Sequence, residues 1–217
     1  GRTGTSHMVS LHRTMVLAVG VLAAAAASQA YSAPASSDVV PARAIAMKTG
    51  RITSQPIGHY DFCKSYRDEC GPVSNPAAAP RVTDYGWKVV HEINEAVNFS
   101  IMPKTDMEIY GEEEVWAFPD VAGDCEDYAL LKRHMLIERG FSPADLLITV
   151  VRKPDGEGHA VLTLRTAEGD YVLDNLEDQV AAWTDTPYRF LKRQSSENSG
   201  RWVTIENGSD LLVGSVR

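Results

Sequence analysis

The sequence predicts an α+β fold in which helices come first and an antiparallel sheet follows. Two observations predict it. Between residues 84 and 139, Val89, Val90, Ile93 and Val97 recur at roughly helical spacing, and Ala129, Leu130, Leu131, Met135 and Leu136 lie inside a second helical stretch. From residue 146 the period changes to short β-rich segments parted by turn residues. No internal repeat and no glycine-rich phosphate loop interrupts that order.

The chain has 217 residues. Residues 1–7 read as an expression tag and are set aside. Residues 8–30 follow the pattern of a secretory signal peptide: His12 and Arg13 give a basic start, and an uncharged run follows from Val16 to Ala27. Ser28-Gln29-Ala30 supplies small residues for cleavage. The apolar run of about a dozen residues falls short of the roughly 20 that span a bilayer, so cleavage is expected over an uncleaved anchor. Residues 31–56, rich in Ala, Ser and Pro without a sustained period, read as a flexible leader. Residues 57–217 then form one domain.

Asp84 to Phe99 reads as a helix with Thr83 or Asp84 as its cap, ended by Ile101-Met102-Pro103. Residues 103–123 hold Pro103, Gly111, Pro119 and Gly123 and read as a loop. Asp124 to Arg139 is the clearest helix, with Gly140 placed to close it. Strands are expected at Leu146–Arg152, His159–Arg165, Tyr171–Leu173, Tyr188–Lys192 and Trp202–Ile205, with a hairpin turn at Ala167-Glu168-Gly169-Asp170.

Composition excludes some partners. Lys and Arg number 21 against 29 Asp and Glu, a net charge of −8. Loss of residues 1–30 removes two arginines and no acid, giving about −10, which argues against nucleic acid and anionic membranes as partners. The spacing of the three cysteines does not suit zinc. In an oxidising compartment a local Cys63–Cys70 disulfide leaves Cys125 as the odd thiol, although the sequence leaves the other two pairings open.

Cys125 sits in Gly123-Asp124-Cys125-Glu126-Asp127-Tyr128, at the first turn of the best helix. Unpaired N–H groups and the helix dipole there favour thiolate over thiol, and the same N–H groups can hold an oxyanion. A thiol nucleophile needs a histidine. His134 lies nine residues on, across the same helix, and cannot reach; nothing around His59 or His91 suggests a site. His159 follows Gly156-Glu157-Gly158 and starts a strand. Asp174 ends the return strand of the same hairpin, near the same end of the sheet, with Asn175 the runner-up as the group orienting the imidazole. Three acids, Asp124, Glu126 and Asp127, crowd the thiol and oppose its ionisation. Either Asp124 and Asp127 cap the helix, or some of these carboxylates hold a divalent cation. Physical chemistry alone favours capping.

These residues resemble the bacterial transglutaminase-like cysteine peptidases, the group that includes the periplasmic LapG proteases. The likeness spans about residues 57–205. It includes Phe62-Cys63, Glu69-Cys70, Trp87 with Asn94 and Asn98, and Tyr110-Gly111 ahead of Trp116 and Pro119. It continues through Gly123-Asp124-Cys125-Glu126-Asp127-Tyr128-Ala129-Leu130, Lys132-Arg133, Gly158-His159-Ala160-Val161-Leu162 and Tyr171-Val172-Leu173-Asp174-Asn175. The resemblance implies a papain/transglutaminase-like fold and a thiol peptidase with Cys125 as nucleophile, His159 as base and acid, and Asp174 as orienting carboxylate. It implies calcium at Asp124 and Glu126, against the capping reading, and no organic cofactor. It also implies a periplasmic or secreted enzyme, a surface adhesin as substrate and an inner-membrane regulatory receptor as partner. Trp87 or Asn94 is the side chain expected to assist the oxyanion. A transglutaminase or glutamine deamidase would use the same triad, and a calcium-regulated binding module would keep it as a vestige.

Overall fold

The structure, a computed structural model, describes residues 44–74 and 78–208. The tag, the signal segment and residues 31–43 lie outside the described residues. Among the described residues seven antiparallel strands form one sheet in the order β1-β9-β8-β4-β5-β6-β7. They are β1 (Thr49–Thr53), β4 (Leu146–Arg152), β5 (Gly158–Thr166), β6 (Gly169–Leu173), β7 (Ala181–Ala182), β8 (Arg189–Gln194) and β9 (Trp202–Ile205). The helices are α1 (Ile57–Ser65), α2 (Asp84–Ser100), α3 (Asp106–Tyr110) and α4 (Cys125–Glu138). A small parallel pair, β2 (Met102–Pro103) and β3 (Ala122–Gly123), leads into α4.

Alternation along the strands sorts side chains into two clusters. Ile148, Leu162, Leu164, Tyr171 and Leu173 pack with Val90, Ile93 and Val97 of α2 and with Ala129, Leu130 and Leu136 of α4. Their neighbours along the same strands, Val151, Val161 and Val172, join Met47, Trp183, Phe190 and Ile205 in a second cluster. Period-two patterning thus gives the sheet two apolar faces, of which the helices cover one.

Met47 in that second cluster corrects the reading of residues 31–56 as a leader: residues 44–56 belong to the domain. Asp170 holds the Met47 N–H at 2.8 Å, Trp183 Nε1 donates to the Ile45 carbonyl at 2.7 Å, and β1 pairs with β9. The reason it escaped detection is physical. Its pairing is made by backbone atoms, and the strand Thr-Gly-Arg-Ile-Thr exposes most of its side chains, so its hydrophobic pattern is weak.

The stretch 103–123 is likewise more than a loop. Thr105 and Glu108 form a reciprocal capping box on α3, and Gly111 closes it with φ 71°. The helix α1 was not foreseen, and it brings Cys63 to Cys70, which are disulfide-bonded. Thr83 caps α2 through the Gly86 N–H. At the hairpin, Gly169 and Asp170 already lie in β6, so only Ala167 and Glu168 make the turn.

Candidate active site

The α4 helix begins at Cys125 because β3 runs straight into it and Asp124 takes up extended backbone at the N-cap position. The thiol therefore sits where helix N–H groups are unpaired. It faces β5, whose Ala160 N–H points at Sγ from 3.4 Å. β6 ends opposite Leu162, so no further β6 residue pairs with Ala160.

The same strand carries His159 to the sheet's end. The register Leu162↔Leu173, extended one step, sets Asp174 opposite Val161, a diagonal neighbour of His159. His159 Nε2 meets Asp174 Oδ1 at 2.8 Å, and both side chains are 4% exposed. Nε2 thus carries the proton donated to the carboxylate, which leaves Nδ1 as the acceptor nitrogen. Asp174 also accepts from the Leu176 N–H at 3.1 Å and from the Tyr188 hydroxyl at 2.6 Å. Burial alone would raise its pKa, but these donors outweigh burial and hold the carboxyl below its ordinary range. Asn175 does not take the orienting place.

Two α2 residues fix the loop that Asp174 opens. Asn98 Nδ2 donates to the Asp174 carbonyl at 2.9 Å, and Asn94 Nδ2 donates to the Asp178 carbonyl at 2.8 Å. This corrects the oxyanion assignment of Trp87 and Asn94. Asn94 is buried with its amide committed to residues 177 and 178, and Trp87 stacks edge-on against Tyr171 in the core. Sequence reasoning gave no role to Asn98 or Tyr188. A hydroxyl ahead of a strand and an asparagine one helical turn after another carry no distinctive signal.

The acids around the thiol behave differently from a cap. Asp124 makes no side-chain capping bond; its Oδ2 takes the Asp106 N–H at 3.2 Å. Asp127 takes the Ala117 N–H at 2.9 Å. The capping reading is thereby corrected. Carboxylate oxygens of Asp106, Asp124 and Glu126 all lie within 4.8 Å of one another. Asp106 was missed in the sequence because it lies in the stretch read as a loop.

Such crowding of acids is electrostatically unfavourable. Burial, then the Asp124 charge, pushes Glu126 up to about 8, and burial raises Asp106 and Asp124 too. Among the described residues the buried oxygens Asp106 Oδ1 and Asp124 Oδ1 have no hydrogen-bond partner. The Cys125 thiol donates to Glu126 Oε2 at 3.1 Å; burial, then the Glu126 charge, holds the thiol well above a free cysteine.

A buried His–Asp pair beside a thiol at a helix start is a thiol-enzyme arrangement, and the sequence carries the matching signature. The profile of the bacterial transglutaminase-like cysteine proteinases, BTLCP, matches residues 49–210. The chain belongs to this family. It is a transglutaminase-like cysteine peptidase, and the match begins at β1, in agreement with the corrected domain start. Among solved structures, calcium-bound LapG from Legionella pneumophila is 22% identical with a TM-score of 0.47, covering 58% of this chain and 78% of that one. A second L. pneumophila LapG structure is 26% identical at TM-score 0.46, covering 58% and 72%. An EGTA-treated L. pneumophila LapG is 26% identical at TM-score 0.47, covering 56% and 68%. No curated protein matches the chain. Among the described residues no helix is long and apolar enough to cross a membrane.

Proposed function

We propose that this peptidase is a periplasmic endopeptidase that hydrolyses a protein substrate through Cys125, His159 and Asp174. The observation that carries the reading is the buried 2.8 Å His159–Asp174 contact on the strand whose next N–H reaches the Cys125 sulfur. With Nε2–H on Asp174, Nδ1 takes the thiol proton, and the thiolate attacks the substrate carbonyl. N–H groups at the start of α4 stabilise the oxyanion. The imidazolium protonates the leaving amine, and water activated by the same nitrogen then releases the acyl group.

Asp106, Asp124 and Glu126 would hold calcium. The donor set is all oxygen, carries up to three negative charges and includes buried oxygens without a partner, which fits a hard divalent cation. Calcium would supply positive charge that offsets the acids beside the nucleophile. Glu126 engaged there would no longer accept the thiol proton, freeing it for His159.

The family resemblance directs the substrate reading to a surface adhesin, with an inner-membrane regulatory receptor as partner. The test is incubation of an adhesin N-terminal fragment from the same bacterium with wild type and Cys125→Ala, each with and without a chelator. Cleavage by wild type alone, lost on chelation, is expected. Mass spectrometry showing amine addition or deamidation without chain scission would reject peptide-bond hydrolysis.

A further inference from the structure

A cavity of about 470 Å³ has the Cys63–Cys70 bridge in its wall, with Gln55, Tyr60, Lys64 and Arg67 around it. That volume falls within the range of small-molecule sites. Both cysteines are half-buried, so the cavity gives a ligand access to sulfur. Among the described residues none of the catalytic side chains lines it.

Apolar burial keeps sulfur unreactive, whereas polar, cationic and partly open surroundings activate it. Gln55 Nε2 donates to Cys63 Sγ at 3.4 Å. The His59 ring lies against the bridge, its Nε2 3.7 Å from Cys63 Sγ and 3.9 Å from Cys70 Sγ. Lys64 and Arg67 are exposed cations, and among the described residues no acid lines the cavity, in a chain of net charge −8. Lys64 shares its charge with Asp61 at 2.7 Å, so Arg67 is the stronger draw for an anion. Between the two sulfurs, Glu69 holds Arg133 and His134, which ties the bridge to the helix that opens on Cys125.

We propose that this cavity is a thiol-exchange site: a small thiol bearing carboxylates enters it, attacks Cys70 Sγ and reduces the bridge by way of a mixed disulfide. The attacking thiolate's electron pair forms the new bond to Cys70. The Cys63–Cys70 bond breaks, and its electron pair leaves on Cys63 Sγ, where the Gln55 N–H meets the new charge. A leaving thiolate stabilised in this way departs faster, which assigns the attack to Cys70. A second molecule of the thiol attacks the outer sulfur of the mixed disulfide, so Cys70 leaves as thiolate and a small disulfide departs. The two cysteine thiolates take up from water the protons that the two attacking thiols released. One bridge is reduced and two thiols are oxidised.

The test mixes the oxidised full chain with glutathione, an acidic thiol, or with cysteamine, a basic one. Samples are quenched with acid, mapped by mass spectrometry, and compared as rates per thiolate. Glutathione should react roughly tenfold faster than cysteamine, with the trapped adduct on Cys70. K64Q/R67Q, changed at two exposed positions, should slow glutathione about five- to tenfold and leave uncharged mercaptoethanol within about twofold. Q55L should slow all three thiols roughly three- to tenfold. Equal rates for the acidic and basic thiols, an adduct on Cys63, or a bridge that glutathione opens only in denaturant overturns the proposal. If Q55L does not fold, salt decides on wild type: the lead of glutathione over cysteamine must vanish at about 1 M, and its persistence overturns the proposal. Peptide mapping separates any adduct on Cys125, and no peptidase substrate is needed, so the result stands even if the chain cleaves no adhesin.

Discussion

Asp174 accepts from three donors on three separate segments: His159, the Leu176 backbone and Tyr188. Its two oxygens therefore fix both the tautomer and the plane of the imidazole. Asp174→Asn should lower kcat by at least about a hundredfold, since an amide can present its NH2 to Nε2 and reverse the tautomer. Tyr188→Phe removes one donor and should cost roughly three- to tenfold in kcat, so steady-state kinetics of the two variants rank the donors. A quite different histidine tests pH. His59 is fully buried, and Trp202 Nε1 donates to its Nδ1 at 3.1 Å. Burial, then the Arg133 charge, lowers it to about 4. The unfolded chain binds the proton from about pH 6.5 down and the folded one does not. The stabilisation held by neutral His59 is complete above pH 6.5 and lost as pH falls toward 4. Unfolding free energies of wild type and His59→Gln, from urea titrations, should therefore converge over that window, by about 3 kcal/mol.

At the scale of elements, the disulfide loop braces α4 from the side. Glu69, next to Cys70, pairs with Arg133 at 2.9 Å and with His134 at 2.8 Å. The Arg133 side chain is 3% exposed, so losing its partner leaves a charge without compensation. Glu69→Ala should cost about 3 kcal/mol by denaturant unfolding. Replacing both Cys63 and Cys70 with alanine should cost a comparable ~2–3 kcal/mol through chain entropy. How much of this was legible follows from the kind of signal each element carries. The α2 helix and the strands β4, β5, β6 and β9 bury apolar patterns that periodicity found; α4 also buries Glu126, Asp127, Lys132 and Arg133, and its apolar residues between Asp124 and Gly140 marked it instead. Cys125, His159 and Asp174 stood out because thiol, imidazole and carboxylate fell on predicted element ends. Asp106 did not, because it lies in the stretch read as a loop, and Tyr188 did not, because a tyrosine opening an expected strand carries no sign that its hydroxyl reaches Asp174. The capping reading of Asp124 failed because local spacing cannot show a third carboxylate arriving from α3.

For the whole molecule, the acid cluster and the sheet edges decide behaviour. Asp106→Asn removes one charge from a trio that would bind calcium. It should weaken calcium binding in isothermal titration calorimetry by roughly tenfold or more, while a chelator should have less effect on its activity than on that of wild type. The N-terminal boundary is equally testable. A chain starting at residue 57 loses Met47, β1 and the Asp170–Met47 contact. It should melt at least about 5 °C below one starting at residue 44, measured by thermal unfolding.

Pairing of β1 with β9 carries one more consequence. Lys48 hydrogen-bonds Asn207 across 159 positions of sequence, so the first strand of the domain waits for the last. A chain emerging from its N-terminal end, whether from a ribosome or through a translocation pore, cannot close this sheet until β9 has appeared. Until then Met47 has no Ile205 to pack against, and the second face of the sheet stays open to solvent or to a chaperone. Maturation is therefore timed by the emergence of β9, and the sheet stays unfinished until that strand arrives.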